Sequence, residues 1–579
     1  MNKKTQRHPA CPNIVLNGLS GGEVTAEFLL QWEVPFIFGL AGSEETGFLD
    51  ALIDRPQLRY ITGLHESAVM AMADGFARAT GQTAFVQLHS VAGAAYALGQ
   101  MITSSLDHIP VVIAVGRQST NFRGHGGFLE SPGLTELPRN YAQWTWDVMN
   151  VNTIPDVMRR AFLLAEAPPG GPTFVTFSKD LWEKPVDRVE IIPRSRSLVD
   201  QQAAPSDSHI SAIVDNLLAA KRPLIFLGNE CIKYEISDDI AAIAEATGAM
   251  VMVSIKGPCV FPTTHPHFVG EILDDAQLLE DVDCVWSVGG HMFKTFNLPE
   301  QPVISHAATI MHTSQVSADI GRNYPVDEAA FANIQVTAQL VRGNLLQRAA
   351  GTIDSNAVKQ KNAWITAYTS EQRRRLDAVL KKEWDCQPIA TSRLMAELNQ
   401  VMAADAEIVS ELITSDHYPR QYLDFDHRVS AASRRRNHYP TSGVLGWGVG
   451  AAVGTKLGFP DKEVWCLVGD GCFNFGSQAL WSAARYQCAI GVVIFNNGEY
   501  QANRLNQNVY RGRIQQTGQP VGADLGNPDI DYSKMAAAYG VEAECVTEPD
   551  QLAAALQRCK QAMAAGKPYL VDVKIAKAS

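Results

Sequence analysis

The stretch VWCLVGDG at residues 464–471 is an apolar run that ends in an acidic glycine turn. A second apolar run, GVVIF at residues 491–495, ends in the same way with Asn496-Asn497-Gly498. Residues 477–486, between the two runs, are predicted to form a helix. Two strands joined by a helix are typical of a parallel sheet, in which neighbouring strands end at the same edge. The pattern therefore places Asp470 and Asn497 side by side.

The side chains at this edge are suited to a hard metal ion. Mg²⁺ prefers oxygen ligands in octahedral geometry, and it usually takes one or two from the protein while phosphates and water supply the rest. Asp470 and Asn497 fit that description, and the backbone carbonyl of Glu499 could add a third oxygen. These residues are the predicted metal ligands.

Glycines next to the predicted ligands indicate what completes the metal shell. Gly469, Gly471 and Gly498 would let phosphate oxygens approach the backbone closely. The amides and dipole at the N-terminus of the helix predicted at 477–486 would favour the same diphosphate. Asp-Gly or Asn-Gly alone is usually a simple turn. The two together, each after a strand, favour a metal–diphosphate site.

Alternating helical stretches and short apolar runs predict an α/β architecture along the whole chain. We expect three domains, over residues 1–190, 205–350 and 388–579, with a proline-rich linker between the first two and a polar helix over 358–384 before the third. The arginines at 373–375 are expected on a solvated face of that helix. The runs predicted as strands lie at residues 36–40, 84–88, 111–115, 173–177, 224–227, 250–254, 284–288 and 569–573.

The Gly-Asp-Gly and Asn-Asn pair resembles the metal–diphosphate motif of the thiamine diphosphate enzymes, and the resemblance covers nearly the whole chain. It implies thiamine diphosphate and Mg²⁺ as cofactors. It also implies a fold of three consecutive α/β domains with mainly parallel sheets, in the order pyrimidine-binding, central and diphosphate-binding, as in the decarboxylase branch of the family.

The resemblance also implies a catalytic glutamate. In GLHESA at residues 63–68, Glu66 matches the family glutamate that hydrogen-bonds the pyrimidine ring of the cofactor and so promotes loss of the C2 proton. Taken alone, an acid at a helix start is more often a favourable partner of the helix dipole. Since Glu66 and the diphosphate motif lie in different domains, the resemblance implies a homodimer that shares its active sites, and the dimers are expected to pair into homotetramers.

Two further residues match the family at the cofactor ring. In Gly443-Val444-Leu445, the resemblance implies that the Gly443 carbonyl accepts a hydrogen bond from the amino group of the pyrimidine ring and that Leu445 wedges beneath the bent cofactor. Alone, Leu445 would be interpreted as an ordinary buried leucine.

Within the family the sequence is most similar to benzoylformate decarboxylase, judged from FGLAGS at 38–43 and LHSVAG at 88–93. Ser43 would orient a substrate carboxylate, and His89 would protonate or deprotonate reaction intermediates. Without that context Ser43 is a turn residue and His89 a strand-end histidine. The sequence departs from the family at a second catalytic histidine, where Phe296 stands and His291 lies five positions earlier.

The predicted reaction is decarboxylation of a 2-oxo acid to an aldehyde, without oxidation. The alternative is a carboligase or lyase similar to acetolactate synthase or benzaldehyde lyase, which forms or cleaves 2-hydroxy ketones from aldehyde or ketone substrates. A hypothesis of another class is a silent protein that binds the cofactor without turnover. The presence of Glu66, Asp470 and Asn497 together argues against this last hypothesis, because function resides in the site rather than the fold.

A glycine-rich run, GWGVGA at 446–451, matches the loose dinucleotide fingerprint and raises the hypothesis of a nucleotide-dependent oxidoreductase. The context argues against it, since the fingerprint should directly follow a strand and here a polar NHYPTS precedes the glycines. Close backbone packing around another cofactor explains them better. Flavin in the central domain is not predicted, because Leu227-Gly228-Asn229 and Gly289-Gly290 are too weak a signal for a flavin site.

Composition excludes several classes of partner. The chain has 49 Lys and Arg against 61 Asp and Glu, a formal charge of −12, so nucleic acid and anionic membranes are not expected partners. No apolar run of eighteen residues occurs, and a cytoplasmic location is expected. The ten cysteines are scattered, which favours reduced thiols, with Cys472 packed in the interior. The arginines at 434–436 are expected to be exposed rather than to bind an anionic substrate tail.

Overall fold

In the computed structural model the chain is described over residues 12–254, 259–271, 275–293, 302–348, 353–430 and 433–577. It divides into two compact units. The first comprises the chain up to Asp200 together with Val449–Gly458 and Gly476–Tyr486. The second comprises Gln201–Gly448, Phe459–Phe475 and the residues from Gln487 onward.

The N-terminal domain is built on a six-stranded sheet in which every pairing is parallel. Its elements are β1 (Ile14–Leu16), α1 (Gly21–Gln31), β2 (Phe36–Leu40), α2 (Thr46–Ala51), β3 (Arg59–Thr62), α3 (Glu66–Thr80), β4 (Ala84–His89), α4 (Ser90–Leu106), β5 (Val111–Arg117), β6 (Trp144–Val148), α5 (Ile154–Glu166), β7 (Thr173–Ser178), α6 (Lys179–Glu183) and β8 (Val189–Ile191).

The strand order of this sheet is β3-β2-β4-β5-β7-β6, and β1 pairs with β8 in a separate antiparallel ribbon. All four strands expected from apolar runs are confirmed, as β2, β4, β5 and β7. The strands β3 and β6 of this sheet were not predicted from the sequence. Both lie at the edges of the sheet, where one side has no neighbouring strand and polar residues are tolerated, so they lack a continuous apolar run.

The central domain has a second parallel sheet of six strands, in the order β11-β10-β9-β12-β13-β14. Its elements are α7 (Asp207–Ala219), β9 (Pro223–Leu227), α8 (Ser237–Thr247), β10 (Met250–Val253), β11 (Phe268–Glu271), α9 (Ala276–Glu280), β12 (Cys284–Val288), β13 (Thr309–Ser314), β14 (Glu328–Phe331) and α10 (Ile334–Arg348). The three strands expected here are confirmed as β9, β10 and β12.

The expected polar helix is confirmed as α11 (Ser355–Glu383). It leads to α12 (Thr391–Val401), β15 (Glu407–Glu411), α13 (Tyr418–Tyr422), β16 (Arg436–His438), α14 (Gly448–Gly458), β17 (Val464–Gly469), α15 (Asp470–Gly476), α16 (Ala479–Arg485), β18 (Ile490–Asn496), α17 (Gln501–Val509), α18 (Arg513–Thr517), α19 (Tyr532–Ala538), β19 (Glu542–Val546), α20 (Leu552–Ala564) and β20 (Tyr569–Lys574).

The third sheet is also six-stranded and parallel, in the order β16-β15-β17-β18-β20-β19. The strands β17 and β18 are neighbours, with Gly469 opposite Phe495, so the two motif turns leave the same edge. The prediction of three α/β domains with mainly parallel sheets is therefore confirmed. The helix expected over 477–486 is confirmed as α16, and a separate helix that was not predicted, α15, begins at Asp470 itself.

The two arginine runs differ in their surroundings. In α11, the side chains of Arg374 and Arg375 are 74% and 66% exposed, which confirms the predicted solvated face. The expectation that residues 434–436 are exposed was wrong: Arg434 and Arg435 are buried and donate hydrogen bonds to backbone carbonyls. Arg436 pairs with the buried Glu407 at 2.8 Å. These arginines therefore bind other parts of the chain rather than facing solvent.

The glycine-rich run at 446–451 continues into a close helix–helix contact inside the first unit. A Cβ at Gly450 would lie 2.7 Å from the Cβ of Ala71 in α3, and one at Gly454 would overlap the Met72 carbonyl. On the other side, a Cβ at Gly75 would overlap the backbone of Ala451. The glycines after residue 448 therefore serve backbone packing between α3 and α14, not a dinucleotide.

Replacing Gly454 with alanine is expected to lower the free energy of unfolding by about 1–3 kcal/mol, because the added methyl overlaps backbone that cannot rotate away. Urea denaturation followed by circular dichroism measures the change. The matched control is Gly343→Ala in α10, where a Cβ would meet nothing within 4 Å. That control should gain roughly 0.5–1 kcal/mol from helix propensity. A stabilised Gly454→Ala protein would contradict the packing argument.

Candidate active site

The acidic motif residue lies at the carboxyl edge of the third sheet, and its side chain is held by backbone amides. Asp470 follows β17 and is 3% exposed. Its Oδ1 accepts from the Gly471 amide at 2.8 Å, and its Oδ2 accepts from the Gly498 amide at 2.7 Å. Burial raises the pKa of Asp470 to about 6. A cation bound beside this carboxylate would offset the cost of its burial.

The amide of the second motif is fixed in the turn that follows β18. Asn497 accepts from the Glu499 amide at 3.1 Å through Oδ1 and donates through Nδ2 to Gln501 at 2.9 Å. The turn passes through Gly498, whose φ of +70° is a conformation that glycine adopts without strain. The Oδ1 and Nδ2 contacts together set the orientation of the Asn497 side chain.

Glu499 contributes differently through its side chain and its backbone. Its carboxylate is paired with Arg504 at 2.8 Å and with Lys577 at 3.2 Å. On either side of it, the Gly498 carbonyl accepts from Leu525 and the Tyr500 amide donates to Ala523. The side chain is thus committed to structural ion pairs, and the backbone carbonyl is the group of Glu499 suited to a metal.

One cavity of about 270 Å³ is lined by all seven residues expected to hold the cofactor. They are Gly443, Leu445, Gly469, Asp470, Gly471, Asn497 and Glu499. The fit is close at Gly471, where a Cβ would lie 2.7 Å from the ring of Tyr500. A buried acid, a polar amide and small glycines around one space are the donor set that Mg²⁺ and a diphosphate require.

Sequence reasoning missed several residues of this cavity. Its wall includes Leu412 and Ser415 after β15, Cys472 after the acidic motif, and Tyr500 and Gln501 after the amide motif. The expectation that Cys472 is buried is confirmed. All of these residues follow strand ends of one parallel sheet, which is the signal that could have found them.

Another residue that was not predicted is a buried acid, which contacts the turn just after Gly443 and Leu445. Glu411 ends β15 and is 1% exposed. It accepts from the amide of Gly446 at 2.7 Å and from that of Gly448 at 2.6 Å. In sequence it is an acid in the mixed polar and apolar segment EIVSE, which carries no signal of a strand end.

The catalytic residues expected in the N-terminal domain lie together at the carboxyl edge of the first sheet. Ser43 follows β2, Glu66 follows β3 as the first residue of α3, and His89 ends β4. These three strands are neighbours in the order β3-β2-β4. Glu66 packs against α4, where a Cβ on Gly93 would lie 3.1 Å from its Oε1.

Two carboxylates that sequence reasoning did not single out connect Ser43 to His89. The Ser43 hydroxyl donates to Glu44 at 2.8 Å. His89 Nδ1 lies 3.1 Å from Glu44 and 3.1 Å from the buried Glu45. The hydrogen bond to Glu45 is the main cause of a raised pKa for His89, and the charges of Glu45, Glu44 and Glu66 add to it. The two acids directly follow Ser43, so their adjacency in sequence was a usable signal.

Replacing Glu44 with glutamine is expected to lower the pKa of His89, because one of the neighbouring negative charges that raise it is removed. Since the pKa of His89 is raised in the folded protein, its imidazolium persists to higher pH than usual, and the substitution shortens that range. An NMR titration of the imidazole protons measures the shift. Glu190→Gln, an exposed acid paired with Arg188, is the control, and an unchanged or higher pKa in the Glu44 variant would contradict the contact.

The second histidine of the family motif remains without a described counterpart. Phe296, which stands at that position, lies outside the described residues. His291 lies after β12, and its Nε2 is buried without a hydrogen-bonding partner in the described part of the chain.

The basic N-terminus, with Lys3, Lys4 and Arg7, and the first cysteine, Cys11, also lie outside the described residues. The other nine cysteines are free thiols.

Among the described residues, no helix has the length and apolar character needed to cross a bilayer.

Three regions match family models of the thiamine pyrophosphate enzymes, thiamine pyrophosphate being thiamine diphosphate. Residues 19–149 match the N-terminal TPP binding domain, 210–341 the central domain and 424–573 the C-terminal TPP binding domain. Benzoylformate decarboxylase of Pseudomonas aeruginosa is 28% identical over 94% of this chain and 97% of its own length. Acetolactate synthase isozyme 3 large subunit of Escherichia coli is 25% identical over 96% of this chain and 95% of its own length.

Solved structures give the same result. The thiamine diphosphate-dependent 4-hydroxybenzoylformate decarboxylase of Rhodococcus jostii RHA1 superposes with a TM-score of 0.81 at 27% identity, over 97% of this chain and all of that one. Benzoylformate decarboxylase from Polynucleobacter necessarius shares the fold, with a TM-score of 0.79 at 22% identity, over 96% of this chain and 99% of its own. With three matched domains in order and a shared fold throughout, the chain belongs to the thiamine pyrophosphate enzymes, in the family of decarboxylases and acetolactate synthases.

Proposed function

We propose that this protein uses thiamine diphosphate and Mg²⁺ to decarboxylate a 2-oxo acid, releasing an aldehyde. The observation that carries the proposal is the cavity lined by all seven residues expected to hold the cofactor, with the buried carboxylate of Asp470 in its wall. Two relatives that cover nearly the whole chain bear the names of decarboxylases of benzoylformate or its 4-hydroxy derivative. These names support decarboxylation as the first candidate.

The metal and the diphosphate would be held at the edge of the third sheet. Asp470, Asn497 and the backbone carbonyl of Glu499 would hold Mg²⁺, and Gly469 and Gly471 would admit the diphosphate oxygens. When bound, thiamine diphosphate supplies a nucleophilic carbon that adds to the substrate carbonyl and takes up the electron pair left by CO₂.

The residues of the N-terminal domain would handle protons and orientation. Glu66 would hold a proton against the pyrimidine ring of the cofactor. His89 would protonate the product carbon, and its raised pKa keeps it charged at higher pH than an ordinary histidine. The hydroxyl of Ser43 would orient the substrate.

We also propose the assembly and the domain limits. Subunits would pair as homodimers that share their active sites, and the dimers would pair into homotetramers. The pyrimidine-binding, central and diphosphate-binding domains would occupy residues 1–190, 205–350 and 388–579. Sedimentation with and without cofactor tests the assembly, and a fully active monomer would contradict it.

A second candidate is a carboligase or lyase acting on aldehydes or 2-hydroxy ketones. The observation that favours it is the pair of carboxylates beside the proposed catalytic residues. Glu44 already accepts the hydroxyl proton of Ser43, and both Glu44 and Glu45 lie against His89. Negative charge at this position repels a substrate carboxylate, whereas an uncharged aldehyde or ketone meets no such repulsion.

The test is incubation with thiamine diphosphate, Mg²⁺ and a panel of aliphatic and aromatic 2-oxo acids, each with and without an acceptor aldehyde, while CO₂ and carbonyl products are followed. Aldehyde and CO₂ from a 2-oxo acid alone would support the decarboxylase. Product formed only with an acceptor, or cleavage of a 2-hydroxy ketone, would replace it with the second candidate.

A further inference from the structure

A buried carboxylate supports the turn that follows two of the proposed cofactor contacts, Gly443 and Leu445. Glu411 is 1% exposed and lies at the end of β15. Its Oε1 accepts from the Gly446 amide at 2.7 Å, and its Oε2 accepts from the Gly448 amide at 2.6 Å. The Trp447 amide between them also donates to this carboxylate. Three consecutive amides thus converge on one side chain, as they do around a bound anion.

The two glycines of the turn fit closely against their neighbours. Gly446 has a φ of +92°, and a Cβ there would lie 2.8 Å from the backbone of Phe475. A Cβ on Gly448 would lie 3.1 Å from Glu411 itself. The turn is therefore held by Glu411 on one side and limited by Phe475 on the other. The cavity residues Gly443 and Leu445 directly precede it.

Burying a carboxylate in this position is unfavourable in free energy. Burial raises the pKa of Glu411 to about 7. The titratable groups that face it are Tyr439, Cys466 and Cys472. Burial raises the pKa of Tyr439 and of Cys466, so neither carries a positive charge that could compensate the carboxylate. The backbone donors of Gly446, Trp447 and Gly448 and the Cys472 thiol stabilise the ionised form. An apolar side chain would fill the same space at lower cost but could not orient three amides.

We propose that Glu411 is a positioning residue that fixes the turn at 446–448 and thereby presents Gly443 and Leu445 to the ring portion of the cofactor. The inference rests on the proposed placement of these two residues at the cofactor rings, and it does not depend on which substrate is used. Glu411 would make no contribution to holding the diphosphate, which is assigned to the separate turns at Asp470 and Asn497.

This division of labour can be tested by comparing two ligands. Calorimetric titration of the cofactor-free protein at pH 8 with Mg²⁺ would measure the Kd of thiamine diphosphate and, separately, of inorganic pyrophosphate, which has no rings. Glu411→Gln keeps the shape but turns an amide donor toward backbone donors. We expect the Kd of thiamine diphosphate to rise roughly 10-fold or more, because hydrogen bonds to a charged group are lost, while the Kd of pyrophosphate changes less than about twofold.

A second variant approaches the turn from its other side. Gly446→Ala leaves the carboxylate intact but forces a side chain against Phe475, so it should produce the same selective loss. Glu371→Gln, an exposed acid of α11 paired with Arg375, is the control and should bind both ligands normally. Equal weakening of both ligands, or no weakening of either, would overturn the inference. Failure of the unsubstituted protein to bind thiamine diphosphate would overturn the proposed function as well.

Discussion

Replacing Glu66 with glutamine is expected to reduce kcat by roughly 10²–10⁴-fold, the usual contribution of a positioned proton-transfer group, while leaving Mg²⁺-dependent binding of thiamine diphosphate within about threefold. Glutamine has the same shape but cannot hold or release a proton at neutral pH. The loss should therefore fall on the chemical steps rather than on affinity.

The structure gives Glu66 a fixed place from which to act. It is the first residue of α3, and the preceding His65 caps this helix by accepting from the Ser67 amide at 3.1 Å. The packing of Glu66 against Gly93 of α4 restricts its side chain further. A proton-transfer group that is held by the start of one helix and by a neighbouring helix is preorganised. Preorganisation is the condition for a large effect of its removal on kcat.

The measurement separates catalysis from binding. Exchange of the C2 proton of bound thiamine diphosphate with deuterium, followed by NMR, reports the predicted step without a substrate, and calorimetry reports affinity. Glu190→Gln, on the β1–β8 ribbon, is the control for an acid-to-amide change in the same domain. An unchanged exchange rate in the Glu66 variant would remove this residue from the proposed proton transfer.

Replacing Asp470 with asparagine is expected to weaken Mg²⁺-dependent binding of thiamine diphosphate by roughly 100-fold or more, which corresponds to about 3 kcal/mol. The side chain keeps its size but loses the negative charge on a proposed metal ligand. Its carboxylate is buried at 3% exposure and held by the amides of Gly471 and Gly498. An asparagine amide would turn a donor toward one of them and add a local repulsion.

Calorimetric titration with thiamine diphosphate at several Mg²⁺ concentrations measures the effect. Asp550→Asn is the matched control, since Asp550 is exposed and distant in sequence from both motifs. The expected signature is a loss that higher Mg²⁺ partly restores, because the site remains but its ion is held more weakly. Normal affinity in the Asp470 variant would contradict the assignment of this carboxylate to the metal.

The two predictions differ in which function they remove. Glu66→Gln should give a protein that binds its cofactor and does not turn over, whereas Asp470→Asn should give one that fails to bind at working concentrations. If both variants failed to bind, Glu66 would have to be reassigned from proton transfer to cofactor affinity. The pair therefore tests the distribution of roles as well as the residues.

The sequence by itself determined the architecture and placed the two turns proposed to hold the metal and the diphosphate, because both rest on local patterns. Buried parallel strands are continuous apolar runs, and the turns after β17 and β18 carry their chemistry within a few residues of the strand end. In the first sheet the missed strands, β3 and β6, lie at the edges, where that pattern weakens. The interior strands β13 and β15 were missed as well, because polar residues interrupt their apolar runs. Ser43, Glu66 and His89 could be named because the motifs around them resemble those of the family, and each stands next to a strand end or helix start.

Only the tertiary structure showed which charged side chains bind other parts of the chain in the interior and which line a cavity. The arginines at 434–436 look solvated in sequence, but Arg434 and Arg435 hold backbone carbonyls in the interior. Glu411 ends β15, a short strand of polar and apolar residues, and its proposed role depends on a turn more than thirty residues later. Side-chain partners distant in sequence leave no periodic or local signal, so burial and hydrogen bonding had to be read from the folded chain.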